Sequence, residues 1–241
     1  MFLNNDSLSK WEMTNSSFNL WVDRTWLQAL YIGSGYDLVW ADNNWTPSWN
    51  ITYSVDSYWK YTDINWNRDY WAGTGTVANL YIGNQANLNF TQATDFSWAC
   101  TVSVQSLQPS NGSWIFGSDF DSVVYISTTA WQMELYLRWA SITNVTIGAN
   151  YWWTRLWEIH TIWFTYIAST TRFYVYLDGV LQNVGWTLWP ATFLTNSWGI
   201  WDSALGGWNI SSARKRFYRA WIWSRTLSEA EHLSFHNAAI L

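Results

Sequence analysis

Short runs in which apolar and polar residues alternate recur along most of this 241-residue chain. Strand side chains point to opposite faces in turn, so a period of two is typical of strands in a sheet. Ser, Asn, Gly and Thr clusters separate the runs. The pattern predicts an all-β fold, a two-sheet antiparallel sandwich with jelly-roll character, rather than a parallel α/β sheet. We expect strands at 28–32, 78–82, 96–104, 114–117, 123–127, 133–138, 159–168, 173–177, 180–182, 193–200 and 216–224.

Alternation within these strands also predicts which side chains form the core. We expect one face to be buried in each strand, with Ile162, Phe164 and Tyr166 together on one face. The residues expected to be mostly buried are Phe96, Val102, Ile162, Phe164, Val175, Leu177 and Ile222.

Two local motifs predict how strands and helix are joined near the C-terminus. Asp178-Gly179 stands between two apolar runs and predicts a two-residue type I′ hairpin, in which both residues have φ > 0. Ser228, with Glu231 three residues later, is typical of a capping box and predicts a short C-terminal helix. Ser228 would be its N-cap.

The residues of this helix predict how it packs on the sandwich. Ala230 and Leu233 are expected to face the sandwich. His232 and His236 have the i, i+4 spacing of some zinc sites. No third ligand is evident, so we expect them to lie on a solvated face.

The net charge and the targeting signals of the sequence limit which classes of binding partner we expect. Lys and Arg number 12 against 17 Asp and Glu, a net charge of −5, which argues against nucleic acid because phosphate binding needs clustered basic residues. No apolar run is long enough to span a membrane, and no signal peptide is evident. Cys100 is alone and is expected to be a small buried hydrophobe.

Three segments in this order, 88–102, 160–181 and 217–231, resemble the laminin-G-like/concanavalin-A-like lectin–glucanase jelly-roll superfamily. They are, respectively, a strand that starts a two-sheet core, a central hairpin with its Asp-Gly turn, and a closing strand followed by Thr-Leu-Ser-Glu-Ala-Glu. The resemblance covers about residues 75–235. It implies a sandwich domain at 28–241 preceded by an N-terminal extension at 1–27.

The resemblance also bears on catalysis. Sugar-cleaving relatives carry a Glu-x-Asp-x-x-Glu run, which supplies the two carboxylates that glycoside hydrolysis needs. None of the five Glu of this chain has an Asp two residues later, so we expect no catalytic residues and no enzymatic activity. No cofactor is required. Asp119 and Asp121 either start a calcium site at the sandwich rim, as in several relatives, or form an ordinary polar turn.

Tryptophan is abundant, with 24 Trp against 13 Gly. Trp45, Trp49, Trp66 and Trp208 stand beside Asn, Asp, Ser or Gly and are expected in loops, the first two within a predicted loop at 42–50. One interpretation makes Trp45, Trp49, Trp201 and Trp208 a platform on which sugar rings stack. The other is that part of the Trp set is glycine, encoded by UGA in a lineage that reassigns this codon, because Gly suits such turns better.

These observations favour a non-enzymatic recognition module that binds glycan or another surface polymer through its loop rim. The alternative is a structural protein of a phage virion or appendage, a decoration or fibre domain with the same sandwich. Expected partners are the polymer itself, further copies of the chain or virion proteins, and neither nucleic acid nor membrane. The expected location is an extracellular surface or a virion.

Overall fold

The computed structural model describes residues 27–32, 46–47, 51–55, 60–64, 80–82, 88, 90–91, 93–107, 113–118, 122–127, 132–137, 143–146, 157–186, 198–200 and 213–239. Within these ranges the chain forms fifteen strands in two antiparallel sheets, followed by the helix α1 (Glu229–Ala239). The all-β fold with a short C-terminal helix is therefore confirmed. No helix in these ranges is long and apolar enough to cross a membrane.

The larger sheet has eight strands. They are β1 (Leu27–Ile32), β3 (Ile51–Val55), β4 (Lys60–Ile64), β6 (Phe96–Leu107), β11 (Ile159–Ile167), β12 (Arg172–Leu177), β13 (Val180–Trp186) and β15 (Ala213–Trp223). Their order is β13-β12-β11-β6-β15-β4-β3, and β1 also pairs with β15. Strands distant in sequence, such as β6 and β15, are thus neighbours at its centre.

The smaller sheet has seven strands. They are β2 (Thr46–Pro47), β5 (Leu80–Ile82), β7 (Ser113–Ser118), β8 (Ser122–Ser127), β9 (Gln132–Leu137), β10 (Thr143–Thr146) and β14 (Trp198–Ile200). Their order is β10-β9-β8-β7-β14-β5-β2. Strands β7 to β10 form a meander, so in this part of the sheet each strand pairs with the strand next to it in sequence.

Eleven of the fifteen strands lie where alternation predicts them, and four do not. The unpredicted strands are β2, β3, β4 and β10, which are short and mix apolar with polar residues. β2 lies inside the segment 42–50, so the prediction of a loop there is wrong at Thr46–Pro47. Two of these strands pair with a strand distant in sequence, β2 with β5 and β4 with β15, and such pairing leaves no signal in the local sequence. The other two, β3 and β10, pair with their neighbours β4 and β9 and are too short and too polar to give a clear alternation.

The core between the sheets lies on one face of the larger sheet. Trp98 stacks on Phe164 with centroids 5.6 Å apart, and it meets Phe116 of the smaller sheet edge-on at 5.3 Å. Phe116 also stacks on Phe217 of β15. All seven predicted core residues are at most 5% exposed, and Tyr166 is fully buried with them. The predicted core is therefore confirmed.

The opposite face of the larger sheet is buried as well, which alternation does not predict. Thr161, Trp163 and Thr165, on the second face of β11, are at most 2% exposed. Helix α1 covers this face through His232, which lies edge-on to Trp163 at 5.1 Å and against Tyr176 at 4.3 Å. A sheet with cover on both faces buries both sets of its side chains.

The predicted packing of α1 is wrong. Ala230 is exposed and Leu233 is 47% exposed, whereas His232 is fully buried. His236 is half-buried rather than solvated. The reason is that the sheet beneath the helix presents aromatic rings together with a hydroxyl. An imidazole can pack on the rings and hydrogen-bond to the hydroxyl at the same time.

The hairpin between β12 and β13 has the predicted turn. Asp178 has φ 51° and Gly179 has φ 77°, as a type I′ turn requires. A Cβ at Gly179 would lie 2.9 Å from Cδ1 of Leu233, so the end of that side chain would have to shift to make room. The turn therefore lies directly under α1.

Candidate functional site: a groove at the rim of the sandwich

A groove opens at one end of the larger sheet, where β6 begins and where β11 and β15 end. Its volume is about 580 Å³. Six residues from three distant segments line it, and we call them the rim groove: Ala93, Thr94, Asp95, Ala168, Ser169 and Ser224. Most of the lining is therefore small, and its polar groups are three hydroxyls and one carboxylate.

Asp95 fixes the floor of the groove. Its Oδ1 accepts a hydrogen bond of 2.8 Å from the backbone N–H of Ala168, which begins the 3₁₀ turn Ala168–Thr170. The bond joins the start of β6 to the end of β11 and holds Ser169 at the edge, where it is exposed. A charge-assisted bond of this kind is stronger than one between neutral groups.

The turn from Thr91 to Thr94 fixes one wall. The N–H of Thr94 donates to the carbonyl of Thr91 at 2.9 Å, and the hydroxyl of Thr94 donates to the same carbonyl at 2.7 Å. The N–H of Thr91 donates in return to Oγ1 of Thr94 at 2.6 Å. Side chains of this type stabilise turns through such local bonds. The wall is thus ordered before any ligand arrives.

The electrostatics of the groove are set by Asp95, the one carboxylate in its described lining. Burial, and then the negative charge of Asp95, raise the pKa of the Tyr166 hydroxyl above its usual range. On the far wall Oγ of Ser224 accepts a hydrogen bond of 3.0 Å from Nε2 of Gln28. The described lining therefore combines small apolar surface with three hydroxyls and one negative charge.

A buried chain of hydroxyls continues inward from the groove and ends at α1. Oγ of Ser97 donates to the carbonyl of Arg225 at 2.9 Å and accepts from the N–H of Leu227 at 3.0 Å. Oγ of Ser97 also lies 2.9 Å from Oγ1 of Thr165, which lies 3.0 Å from Nε2 of His232. We call Ser97, Thr165 and His232 the buried polar chain.

The direction of these bonds fixes the tautomer of His232. The hydroxyl proton of Ser97 is used on Arg225, so Thr165 must donate to Ser97. Thr165 has a single proton, so Nε2 of His232 must be the donor to Thr165. Nδ1 is then unprotonated. Burial lowers the pKa of His232 to about 3, against the opposing charge of Glu231, so the ring is neutral at ordinary pH.

A second polar cluster lies at the other end of β11, by the hairpin turn. Nδ1 of His160 lies 2.8 Å from Oδ2 of Asp178, whose Oδ1 accepts from the N–H of Thr161 at 2.9 Å. Burial alone would raise the pKa of Asp178, but these two hydrogen bonds outweigh it and lower the pKa. Both oxygens of the carboxylate are engaged, so this cluster holds the hairpin and is not a binding site.

The aromatic platform and the calcium pair remain predictions. Trp45, Trp49, Trp66, Trp201 and Trp208 lie outside the described residues, as do Asp119 and Asp121. Among the residues that the structure does describe, no cluster of three His, Cys, Asp or Glu is placed to hold a metal ion.

Sequence reasoning missed the rim groove entirely. Its residues come from three segments that share no motif, and Thr, Ser and Ala in loops are too common to signal a site. The one local sign is Thr91 with Thr94, a spacing that favours a turn but indicates no ligand.

Five tryptophans whose side chains are described fall into two groups. Trp98, Trp163, Trp221 and Trp223 are buried in strands. Trp157, just before β11, is 59% exposed and has φ 75°. Cys100 is fully buried, as predicted, and burial raises the pKa of its thiol.

Solved structures that share this fold include binding domains of a mosquitocidal protein and of a botulinum neurotoxin. The binding domain of Paraclostridial Mosquitocidal Protein 1 superposes with a TM-score of 0.70 at 11% identity, over 89% of this chain and 52% of that one. The binding domain of botulinum neurotoxin serotype D/C VPI 5993 gives 0.68 at 9% identity, over 90% and 53%. A structure of botulinum neurotoxin type C, whose cell entry is described as dependent on two ganglioside molecules, gives 0.68 at 9% identity, over 93% and 53%.

The chain thus spans about half the length of these neighbours. No family model matches the chain, and no curated protein matches it in sequence. At such low identity the likeness shows the fold, a β-rich sandwich. The laminin-G-like/concanavalin-A-like resemblance remains a prediction.

Proposed function

We propose that this chain is a non-enzymatic recognition domain that binds glycan through the rim groove. The observation that carries the proposal is the groove itself, which is open, prearranged by hydrogen bonds and lined by three hydroxyls and the carboxylate of Asp95. Ligand sites are typically concave, with a few placed polar groups. A sugar presents neighbouring hydroxyls that such groups bind well.

The charge of the groove favours a class of sugar. Asp95 has no cation beside it in the described lining, and the chain as a whole carries −5. A carboxylated sugar would bring like charge towards Asp95, which is unfavourable at short range. We therefore expect neutral or amino sugars to bind better than sialic or uronic acids.

The same lining supports recognition rather than catalysis. Glycoside hydrolases place two carboxyl groups on either side of the scissile bond. The described lining supplies only Asp95, and one of its oxygens is already bonded to the backbone of Ala168. Such a carboxylate is suited to hold a hydroxyl in place.

The structural neighbours support a binding role alone, because two of those named above are binding domains and the third is described by its dependence on ganglioside molecules. The preference for neutral or amino sugars rests on Asp95. A glycan-binding domain of this kind would act at an extracellular surface or on a virion. Calcium at Asp119 and Asp121 belongs to the proposal as an optional support of the rim. Chelation by EDTA would then weaken glycan binding.

A glycan array with a matched pair of variants tests the proposal. Ser169→Tyr puts a large side chain at the edge of the groove, whereas Thr170→Tyr puts the same side chain on the next exposed residue, which does not line it. We expect the wild type to bind neutral or amino sugars, Ser169→Tyr to lose at least about tenfold in affinity, and Thr170→Tyr to keep it.

Other outcomes would overturn the proposal in distinct ways. Equal binding by both variants would place the ligand elsewhere. If binding were instead lost on Trp→Ala changes at Trp45, Trp49, Trp201 or Trp208, the aromatic platform would be the site. A wild type that binds nothing on the array would favour the virion or appendage role.

A further inference from the structure

The backbone at Trp157 is left-handed. Its φ is 75°, and its N–H donates to the carbonyl of Val104 at 2.9 Å, so this conformation is tied to the adjacent strand β6. Residues with a Cβ avoid this region because the Cβ crowds the following carbonyl, whereas Gly enters it freely. For a bulky residue such a φ is a clear outlier.

The side chain of Trp157 shows no compensating contact among the described residues. It is 59% exposed, and neither a hydrogen bond nor a ring contact of its indole occurs there. Within the described ranges, two other non-glycine residues have positive φ, and they differ from Trp157. Asp178 bonds both carboxylate oxygens, and the Thr171 hydroxyl donates to the carbonyl of Thr170 at 2.7 Å.

We infer that position 157 is glycine in the protein as its source cells make it, encoded by a UGA codon that those cells read as glycine. The composition agrees, since 24 Trp stand beside only 13 Gly in a chain rich in turns. Glycine removes both costs at once, the strained backbone and the exposed apolar ring.

Trp98 provides the contrast. It lies in a regular strand and is fully buried between the sheets, where it stacks on Phe164 and meets Phe116. A glycine there would leave a large cavity, so we expect UGG at this position. The inference does not depend on glycan binding, but it removes Trp157 from the aromatic residues that could contact a ligand.

Stability of the recombinant chain tests the backbone part. Trp157→Gly is expected to raise the melting temperature by about 2–4 °C, because the left-handed strain is released. Trp157→Ala removes the indole but keeps a Cβ, so it should give little or no rise. Asp178→Gly, also at a positive φ, should lower the melting temperature because it removes two hydrogen bonds. A Trp157→Gly variant no more stable than Trp157→Ala would overturn this part.

The coding DNA and the native protein test the identity of the residue. We expect UGA at position 157 and UGG at position 98, and a peptide mass from the source cells that shows Gly at 157 and Trp at 98. A UGG codon at 157, or a native peptide with the mass of Trp at that position, would overturn the inference.

Discussion

The buried polar chain and the rim groove are built on the same strands. The polar groups of the chain are buried and hydrogen-bonded, whereas side chains of the groove are exposed. Ser97, Thr165 and His232 are at most 2% exposed, and their hydroxyls and the Nε2 of His232 bond one another or nearby backbone. Thr94 and Ser169, at the ends of the same strands, are exposed. The difference is whether α1 and its connection to β15 lie over them.

This comparison separates polar residues that stabilise the fold from those that can bind a ligand. A buried hydroxyl is favourable only when it is bonded, so the covered side chains are fixed by the structure. At the rim, hydrogen bonds at Asp95, Thr94 and Ser224 order the surface, and Thr94 and Ser169 stay exposed to solvent. Changes at the first region should cost stability, and changes at the second should cost binding.

The largest expected effect on stability is at His232. Replacing it by Ala removes a buried ring that contacts Trp163 and Tyr176, and it takes away the donor that the Thr165 oxygen accepts from. We expect the free energy of unfolding to fall by about 2–4 kcal/mol in urea at pH 7. Ser234→Ala, at an exposed position of α1, should change it by no more than about 0.5 kcal/mol. Equal losses in the two variants would contradict the packing of α1.

Lowering the pH should reduce the stability of the fold through the same residue, His232. The pKa of His232 is about 3 in the folded protein, against 6.5 for an ordinary histidine, so at mildly acid pH the unfolded chain binds a proton that the folded chain does not. Stability is then lost as the pH falls below 6.5, by about 2 kcal/mol between pH 7 and pH 5.

The matched variant for this prediction is His232→Gln, whose amide can still donate to Thr165 but does not titrate. The difference between wild type and His232→Gln should vary with pH across that window. Parallel stability curves for the two proteins would show that His232 is not a neutral buried group.

A smaller effect is expected at the start of α1. Oγ of Ser228 accepts from the N–H of Glu231 at 3.3 Å, and the N–H of Ser228 donates to Oε2 of Glu231 at 2.8 Å, which completes the predicted capping box. Ser228→Ala should cost about 1 kcal/mol, or about 2–4 °C in melting temperature. Ser228→Thr, which keeps the hydroxyl, should restore most of it. An unchanged melting temperature in Ser228→Ala would mean that the cap contributes nothing.

The smallest effect on stability is expected in the groove. Asp95→Asn keeps an oxygen to accept from the N–H of Ala168 but removes the charge, so unfolding should change by less than about 0.5 kcal/mol. Affinity for an amino sugar should nevertheless fall by about tenfold, measured by calorimetry. A variant that unfolds far more easily yet binds as before would reverse the roles assigned to the two regions.

The sequence predicts the inter-sheet core better than the covered face or the groove. Phe96, Ile162 and Phe164 belong to runs with a period of two, and this period directly indicates which face of each strand is buried. His232 gives no such signal, because its burial depends on Trp163 and Tyr176, which only the folded sheet brings beneath it. Asp95, Ser169 and Ser224 meet only once β6, β11 and β15 end at the same rim.

The most direct test is a map of amide chemical-shift changes when the best-binding sugar is added to the wild-type protein. We expect amide chemical-shift changes at Thr94, Asp95, Ser169 and Ser224 and none at Thr165 or His232. Shifts confined to the loops that carry Trp45, Trp49, Trp201 and Trp208, with the rim groove unchanged, would contradict this expectation.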